Sequence, residues 1–352
     1  MTGAAASAPA PAGVATPRGL VWVSDQVPGI RRIRVGDDFA YVGPDGKRLR
    51  KAAELQRIRA LAIPPAYEDV WICVRANGHI QATGRDARGR KQYRYHRDWR
   101  LAKDADKFER MLEFGAALPR IRRRVASDLQ APVGERPRRA TVLATLVRLL
   151  DTTLVRVGND EYARENRSYG LTTLRNRHAE VEGSTLRLRF RGKSGVPQEV
   201  ALEDPRVARV VRRCQALPGQ ELFAYVDEDG EVRGVGSDDV NGYIREASGA
   251  DFTAKDFRTW HGTVHALNLW AEQMAAEAAQ RLSANQVLAQ VARRLGNTVA
   301  VCKKAYVHPR VLQVLATAEA DALERIAEAK HPRLEGLDAS ERQLLAFLGE
   351  AA

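Results

Sequence analysis

The stretch Thr185–Leu202 reads TLRLRFRGKSGVPQEVAL and places apolar residues at every second position of its first half. Leu186, Leu188 and Phe190 alternate with arginines, which is the pattern of a β-strand with one buried face. The Gly-Lys-Ser-Gly sequence that follows is typical of a tight turn, and the residues after it return as a second strand. We therefore predict a β-hairpin with Lys193 at its tip.

The sequence on both sides of this hairpin has helical periodicity instead. Upstream, Thr141–Val157 carries leucines at helical spacing and predicts a buried helix that ends at Gly158. Downstream, helices are predicted at about residues 205–215, 238–247, 255–274 and 283–295, with two more after Pro309. The hairpin thus belongs to a mainly α-helical domain, which we place at residues 101–352.

Residues 19–100 show the short strands and turns of a separate domain. Strands are predicted at residues 30–35, 39–42, 70–74 and 79–83, and a helix at residues 52–61. Residues 1–18 are rich in Ala and Pro, lack the features of a secretory signal, and are predicted to be a disordered tail. The fold class is therefore α+β, with a small mainly-β N-terminal domain and a larger mainly-α domain that carries the lysine hairpin.

The composition indicates a partner with negative charge. Among 352 residues there are 56 Lys and Arg against 44 Asp and Glu, which gives a net charge of +12 and a pI near 9.9. A pI above about 9 favours nucleic-acid binding. Three scattered cysteines fit neither a disulfide framework nor a zinc site, and no run approaches the roughly 18 apolar residues of a membrane span. We expect a soluble protein of a reducing, intracellular compartment.

A basic run with interleaved aromatic residues stands at residues 84–96, GRDARGRKQYRYH. In an extended segment Tyr93 and Tyr95 share one face, while Gln92, Arg94 and His96 share the other. Basic and aromatic side chains together suit contacts with phosphates and bases. A solvated basic loop is the alternative that this segment alone leaves open.

Five polar residues of the second domain are candidates for chemistry, although each has an ordinary structural explanation when taken alone. Arg156 comes at the end of a predicted helix, Lys193 is at the tip of the hairpin, and Arg258 lies in a helix whose other side is apolar. Asn297 follows a glycine, and Tyr306 precedes the helix at Pro309. The chain has no Walker sequence, no dinucleotide-binding glycine motif and no carboxylate cluster with metal-ligand spacing. We therefore expect neither a cofactor nor a metal site.

In their chain order these five residues resemble the active site of type IB DNA topoisomerases, most closely the small bacterial, poxvirus-like branch. The resemblance covers about residues 20–320. The motifs that carry it are the basic run above, RVGNDEYARENRSYGLTTLRNRH at 156–178, RGKSG at 191–195, AKDFRTWHGT at 254–263 and LGNTVAVCKKAYVHP at 295–309.

The resemblance implies a role for each candidate residue. Tyr306 is the expected nucleophile, Arg156 and Arg258 are expected to hold the scissile phosphate, and Lys193 is the expected general acid. Asn297 stands where the poxvirus enzymes have a histidine, and its amide can still donate a hydrogen bond to a phosphate oxygen. The expected DNA contacts are Arg85, Arg90, Gln92, Tyr93, Tyr95, Tyr162 and Lys255.

The same resemblance implies an activity. One strand of duplex DNA is nicked with a transient 3′-phosphotyrosyl link, strand rotation relaxes supercoils of either sign, and religation needs neither ATP nor metal. The protein is expected to be a monomer that closes around the duplex as a clamp, in the cytoplasm at the nucleoid and away from any membrane.

Two other classes of protein fit much of the same sequence. Tyrosine recombinases use nearly the same residues on a related fold, but their second arginine usually lies in a His-x-x-Arg-His setting, where this chain has Lys255 and Thr259 around Arg258. A non-catalytic DNA-binding protein would also fit the charge and the aromatic residues, and it predicts that Tyr306→Phe changes no activity.

Overall fold

The computed structural model describes residues 17, 19–87, 89, 91–130, 136–159, 163–164, 167–275, 282–317 and 335–349. The chain divides into two compact units, Met1–Asp106 and Lys107–Ala352. Apart from Pro17, the tail predicted at residues 1–18 lies outside the described residues. In the part of the chain that the structure describes, no helix has the length and apolar character needed to cross a membrane.

The first unit is built on a five-stranded antiparallel sheet. Its strands are β1 (Ile30–Val35), β2 (Asp38–Val42), β3 (Glu68–Ile72), β4 (Ile80–Arg85) and β5 (Lys91–Tyr95), in the spatial order β2-β1-β3-β4-β5. Helix α1 (Ala52–Ala60) buries Ile58 against the sheet residues of a small core. The small, mainly-β N-terminal unit that the sequence predicted is therefore confirmed, and the basic run supplies its edge strand β5.

The second unit is mainly helical. Helix α2 (Arg97–Glu109) runs into it and is followed by α3 (Met111–Gln130) and α4 (Arg139–Thr153). The later helices are α5 (Pro205–Gln215), α6 (Ser237–Ser248), α7 (Ala254–Ala275), α8 (Ala284–Leu295), α9 (Val299–Ala305), α10 (Pro309–Thr317) and α11 (Ala339–Gly349). The helices predicted at about residues 205–215, 238–247, 255–274 and 283–295 are present within one residue of those bounds, and α10 and α11 follow Pro309, where two helices were predicted. Helix α9 was not among the predicted helices.

The core of this unit forms around α4 and α7. Most residues of α4 between Thr141 and Asp151 are buried, because α3, α6 and α7 all pack against it. Phe114 of α3 meets Phe257 and Trp260 of α7 edge-on, with ring centroids 5.1 and 6.2 Å away. Such edge-to-face pairs stabilise a packing beyond the apolar area they bury. Helix α7 is therefore a fixed element at the centre of the unit.

The hairpin that the alternating sequence predicted is present as β7 (Thr185–Arg191) and β8 (Pro197–Glu203), in continuous antiparallel register. A further strand, β6 (Ala179–Glu182), pairs with β7 and completes a three-stranded sheet. A short hairpin of β9 (Ala224–Val226) and β10 (Val232–Gly234) was not predicted, because three-residue strands carry too little alternation to be recognised.

The end of α4 differs from the prediction. The helix was expected to continue to Val157, but it ends at Thr153, and Leu154 adopts the left-handed conformation with φ of 58°. The Thr153 hydroxyl donates to the Leu149 carbonyl, which closes the last turn. Arg156 consequently lies on an irregular segment rather than on a helix end, and this segment packs through Gly158 against Gly170 with no room for a side chain on either residue.

Candidate active site

Tyr306 stands directly after α9, where the helix ends. Its amide donates to the Cys302 carbonyl over 2.9 Å, and Pro309 begins the next helix three residues later, as the sequence predicted. Thr298 caps the other end of α9 by accepting from the Val301 amide. The short helix and the proline thus fix Tyr306 at a junction, with its side chain half-buried.

Arg258 lies on α7 behind the tyrosine ring and is only 4% exposed. Its guanidinium carbon is 5.1 Å from the centroid of the Tyr306 ring. The guanidinium donates to two main-chain carbonyls, that of Leu154 and that of Leu295, the latter over 2.6 Å. A buried cation needs such partners, since desolvation without hydrogen bonds is costly. The buried Nε–H of Arg258 has no partner among the described residues.

Arg156 and Asn297 form a second pair, although they are 141 residues apart in the chain. The Nη2 group of Arg156 donates to the side-chain oxygen of Asn297. Because a guanidinium only donates, this contact fixes the orientation of the amide and leaves its Nδ2 as a donor. That Nδ2 is buried and has no partner in the described part of the chain.

These charges act on the phenol. Burial alone would raise the pKa of Tyr306, but the positive charges of Arg258, Arg156 and Lys255 outweigh it, and the pKa lies below its usual value. The pKa of Arg258 is also lowered, mainly by burial and secondly by the nearby positive charge of Arg156. The site is therefore arranged to favour a negatively charged tyrosine.

A cavity of about 340 Å³ brings most of the candidate residues together. It is lined by Tyr306, Arg156, Arg258, Lys193 and Lys255. Asn297 reaches this group through its bond to Arg156. Within the second unit the structure thus places all five predicted catalytic residues and the predicted DNA contact Lys255 around one site.

Lys193 enters the cavity from the turn between β7 and β8. Ser194 and Gly195 have φ of 63° and 76°, the left-handed region that a serine adopts rarely and a glycine readily. The amide of Gly192 donates to the Val196 carbonyl over 2.8 Å and closes the turn. Lys193 itself is exposed, so its side chain has room to approach a bound ligand.

Some lining residues were not singled out from the sequence, namely Asn159, Ser168 and Tyr169. They belong to the motif around Arg156, so their position in that motif was the available signal. The Tyr169 amide donates to the Arg191 carbonyl over 2.8 Å, which ties this segment to the lysine hairpin.

The predicted DNA contacts of the first unit lie on and beside β5. The rings of Tyr93 and Tyr95 stack with centroids 5.9 Å apart, which confirms that the two share a face. Gln92 donates to the Asp86 carboxylate, and Arg85 donates to the Gly89 carbonyl. Two further predicted contacts, Arg90 and Tyr162, lie outside the described residues.

Helix α7 is held in place by a buried ionic network. Arg122 of α3 binds both oxygens of Asp151 on α4 and both oxygens of Glu341 on α11. His261 of α7 contacts the Asp151 carboxylate at 2.8 Å, and Trp260 donates to Glu341 over 3.1 Å. Burial would raise the pKa of each carboxyl group, but hydrogen bonds and the charge of Arg122 hold the pKa of Asp151 far below its usual value and that of Glu341 below its usual value.

Comparisons with known proteins identify the family. Residues 96–332 match the family model of the catalytic core of eukaryotic DNA topoisomerase I, and residues 38–86 match the N-terminal domain of bacterial DNA topoisomerase IB. DNA topoisomerase 1B of Acanthamoeba polyphaga mimivirus is 33% identical over 299 residues, which cover 81% of this chain and 87% of that protein. DNA topoisomerase 1 of Mycosarcoma maydis is 25% identical over 179 residues, 46% of this chain and 17% of that protein.

The fold, a β-sheet unit followed by a helical unit, and these matches define the protein as a DNA topoisomerase. This class of enzyme is an isomerase that acts on DNA. Within that class the chain belongs to the type IB DNA topoisomerase family, with an N-terminal domain of the bacterial kind. Of the three classes that the sequence left open, the comparisons therefore support the topoisomerase over the recombinase and the non-catalytic binding protein.

Proposed function

We propose that the protein nicks one strand of duplex DNA through attack of Tyr306 on a phosphodiester and reseals it after strand rotation. The observation that carries this proposal is the half-buried Tyr306 ring against buried Arg258, in a cavity that Arg156 and Lys193 also line. The product of attack is a 3′-phosphotyrosyl link with a free 5′-hydroxyl. Because this link conserves the phosphodiester bond energy, the reverse attack reseals the strand without ATP.

Activation of the nucleophile follows from its surroundings. A phenol has a pKa of about 10, so at neutral pH an isolated tyrosine is a weak nucleophile. The cations around Tyr306 lower its pKa and so favour the phenolate. The phenolic proton is lost to solvent before or during attack, and the cavity is open enough to admit the phosphate beside the ring.

The donors of the site suit the charge that develops on the phosphate. Arg156 and Arg258 supply guanidinium N–H groups, which make charge-assisted hydrogen bonds to non-bridging oxygens. Two buried donors, Nε of Arg258 and Nδ2 of Asn297, have no partner in the described residues, and a phosphate oxygen is the acceptor that fits them. Fixed donors aimed at developing charge lower the barrier without a metal ion.

Lys193 is the proposed general acid. The departing 5′-oxygen is a strong base and needs a proton, and an exposed lysine on a turn at the cavity can deliver it. When the strand is resealed, Lys193 takes the proton back from the 5′-hydroxyl. Between the two steps the cut strand rotates about the intact strand, so supercoils of either sign relax.

Features of both units suit the binding of a DNA duplex. The net charge of +12, the stacked pair of Tyr93 and Tyr95, and Lys255 at the cavity all suit a polyanionic duplex. We expect a monomer that closes around the duplex as a clamp and works at the nucleoid in the cytoplasm. Sedimentation with and without a short duplex tests the first expectation, and a particle that contains two protein chains per duplex contradicts it.

The central test is relaxation of supercoiled plasmid in EDTA without ATP, by wild type and by Tyr306→Phe. Wild type is expected to relax positive and negative supercoils and the variant neither, while both bind DNA. Denaturation of the wild-type reaction should trap protein on the 3′ side of the nick. Relaxation by Tyr306→Phe, or a requirement for a divalent cation, would overturn the proposal.

A further inference from the structure

Gly262 and Thr263 follow Arg258 by one turn on α7, and they pack directly on the main chain of Tyr306. We propose that these two residues are the seat that positions the nucleophile relative to Arg258. The inference rests on the proposed function of Tyr306 and goes further, because it assigns a role to two residues that are not among those lining the cavity.

Gly262 leaves space that no other residue would leave. A Cβ atom added at this position would stand 2.8 Å from the Tyr306 carbonyl oxygen and 3.3 Å from the Tyr306 Cβ. The first of these distances is too short for a carbon–oxygen contact, and the atom in the way is main chain, which cannot rotate aside as a side chain does. Because Gly262 has no side chain, the Tyr306 main chain can approach α7 closely.

Thr263 holds the same segment by hydrogen bonds to the main chain on both sides of Val307. Its side chain is fully buried, and its hydroxyl oxygen accepts from the His308 amide over 3.1 Å. The hydroxyl proton is directed to two carbonyl oxygens, that of Tyr306 at 3.1 Å and that of Thr259 at 2.9 Å, and it serves one at a time. One side chain thus links α7 to the chain immediately after the nucleophile.

Helix α7 therefore both carries the activating cation Arg258 and supports the main chain of the nucleophile Tyr306. Arg258 is buried under the Tyr306 ring, and the seat begins one turn further along the same helix, at Gly262. Since Thr263 hydrogen-bonds to main-chain atoms on both sides of Val307, we assign it as a positioning residue and not a catalytic one. Its loss should leave the phenol intact but hold it less often in line with the phosphate.

The experiment measures single-turnover strand cleavage at saturating DNA, across pH. Thr263→Val keeps the shape and removes the hydroxyl, and we expect it to cleave about 10-fold to 100-fold more slowly. We expect DNA affinity to stay unchanged and the midpoint of the pH–rate curve to move to higher pH, because the ring is held less closely to Arg258. Thr263→Ser restores the hydroxyl and should recover the rate to within about 3-fold.

Gly262→Ala tests the seat independently, because it keeps the hydroxyl and changes only the spacing. We expect a slower cleavage of the same order, and the result remains informative if Thr263→Val does not fold. Thr145→Val is the matched control for the hydroxyl: Thr145 is fully buried on α4 and bonds the Thr141 carbonyl over 2.8 Å. Gly242→Ala is the matched control for the methyl group, since an added Cβ there meets no atom within 4 Å.

The outcomes separate the two proposals. Wild-type rates and pH curves for Thr263→Val or Gly262→Ala, with Tyr306→Phe inactive, overturn the seat and leave the proposed function standing. An equal loss of rate in Thr145→Val also overturns it, because a lost buried hydroxyl then acts through general stability. Cleavage by Tyr306→Phe overturns both proposals at once.

Discussion

Asn297 is the residue at which this site departs from the poxvirus pattern, and its surroundings indicate what an asparagine can do there. Its oxygen accepts from Arg156, and its Nδ2 donor is buried without a partner in the described chain. A histidine in this place could exchange a proton near neutral pH, whereas an amide can only donate and accept. The proposed role of Asn297 is therefore to donate to a phosphate oxygen while it orients Arg156.

Asn297→Asp tests that role with almost no change in shape. The substitution keeps an oxygen for Arg156 but replaces the donor by a second, negatively charged oxygen beside the phosphate. We expect single-turnover cleavage to fall by about 100-fold or more, as for the loss of one transition-state donor. Asn297→His restores an N–H donor and should recover much of the rate. A wild-type rate for Asn297→Asp would show that Nδ2 does not meet the phosphate.

The sequence singled out residues that the structure brings together, but it did not indicate how they touch. Motif resemblance located Arg156, Lys193, Arg258, Asn297 and Tyr306 by their neighbours in the chain. The bond between Arg156 and Asn297 joins residues 141 positions apart, and no local pattern encodes it. The seat at Gly262 and Thr263 was missed for the same reason, because a glycine and a threonine inside a helix are ordinary until the segment packed on them is known.

Among the elements, α7 carries the largest share of the site, so what holds α7 matters for activity. The network of Arg122, Asp151, Glu341 and His261 joins α3, α4, α7 and α11 in the interior. Glu341 is 1% exposed and accepts from Arg122, from Trp260 and from the Asp338 amide. Neutralising Glu341 removes one partner of Arg122 and leaves Asp151 as the other, so the loss is that of the charge-assisted bonds to one carboxylate.

Glu341→Gln should lower the free energy of unfolding at neutral pH by about 1.5–3 kcal/mol, the worth of a charge-assisted hydrogen bond. The native pKa of Glu341 lies below its unfolded value of 4.5, so its stabilisation is complete above pH 4.5 and is lost as pH falls through the native pKa. The gap between wild type and variant should therefore be full at pH 7 and shrink in acid.

Urea unfolding of both proteins at a series of pH values measures that gap. Glu199→Gln is the control, because Glu199 pairs with Arg189 on the surface with 66% of its side chain exposed, and we expect almost no change there. If the difference in unfolding free energy between wild type and Glu341→Gln stayed constant down to acid pH, protonation of Glu341 would not be what reduces stability.

The lysine hairpin gives a chemical test at the same scale. If Lys193 protonates the departing 5′-oxygen, Lys193→Ala should slow cleavage by about 100-fold to 10,000-fold on ordinary DNA. When the bridging 5′-oxygen of the substrate is replaced by sulfur, the leaving group is a thiolate, which needs no proton. The variant should then cleave nearly as fast as wild type on the sulfur substrate, and an undiminished defect would contradict the general-acid role.

Elements with a long, regular pattern were the ones that the sequence predicted well. The alternation in β7 and the leucine spacing of α4 each extend over several turns or residue pairs, and both elements are present. The predicted end of α4 was wrong because the helix stops at a left-handed Leu154, whose carbonyl accepts a hydrogen bond from Arg258, a residue 104 positions away that no local pattern connects to it. Short strands such as β9 fall below what periodicity can show.

For the whole molecule, the sequence indicated two domains and a cationic surface. The division into Met1–Asp106 and Lys107–Ala352 is a property of the folded chain, and the proposed DNA contacts fall in both units. Closure as a clamp stays a prediction, since it depends on DNA that brings the two units to one duplex. If both units grip the backbone, each contact should add to the same electrostatic binding term.

Measuring DNA affinity at a series of salt concentrations tests whether contacts from both units add up. The logarithm of the binding constant should fall steeply and linearly with the logarithm of salt concentration, by about 0.9 for each phosphate neutralised. Arg85 is 43% exposed beside β5, and Arg85→Gln should reduce the slope by about 1. Arg213→Gln removes the same charge from an exposed position on α5 and should leave the slope unchanged, because net charge alone makes no phosphate contact.

The comparison of the two variants decides whether the first unit takes part in binding. A reduced slope for Arg85→Gln alone means that Arg85, at the end of β4, contacts the DNA backbone, and therefore that the first unit takes part in binding. Equal slopes for Arg85→Gln, Arg213→Gln and wild type would mean that the second unit binds by itself, and the clamp would lose its support. A cleavage defect of Arg85→Gln that disappears at saturating DNA would show that Arg85 contributes to DNA binding and not to the chemical step.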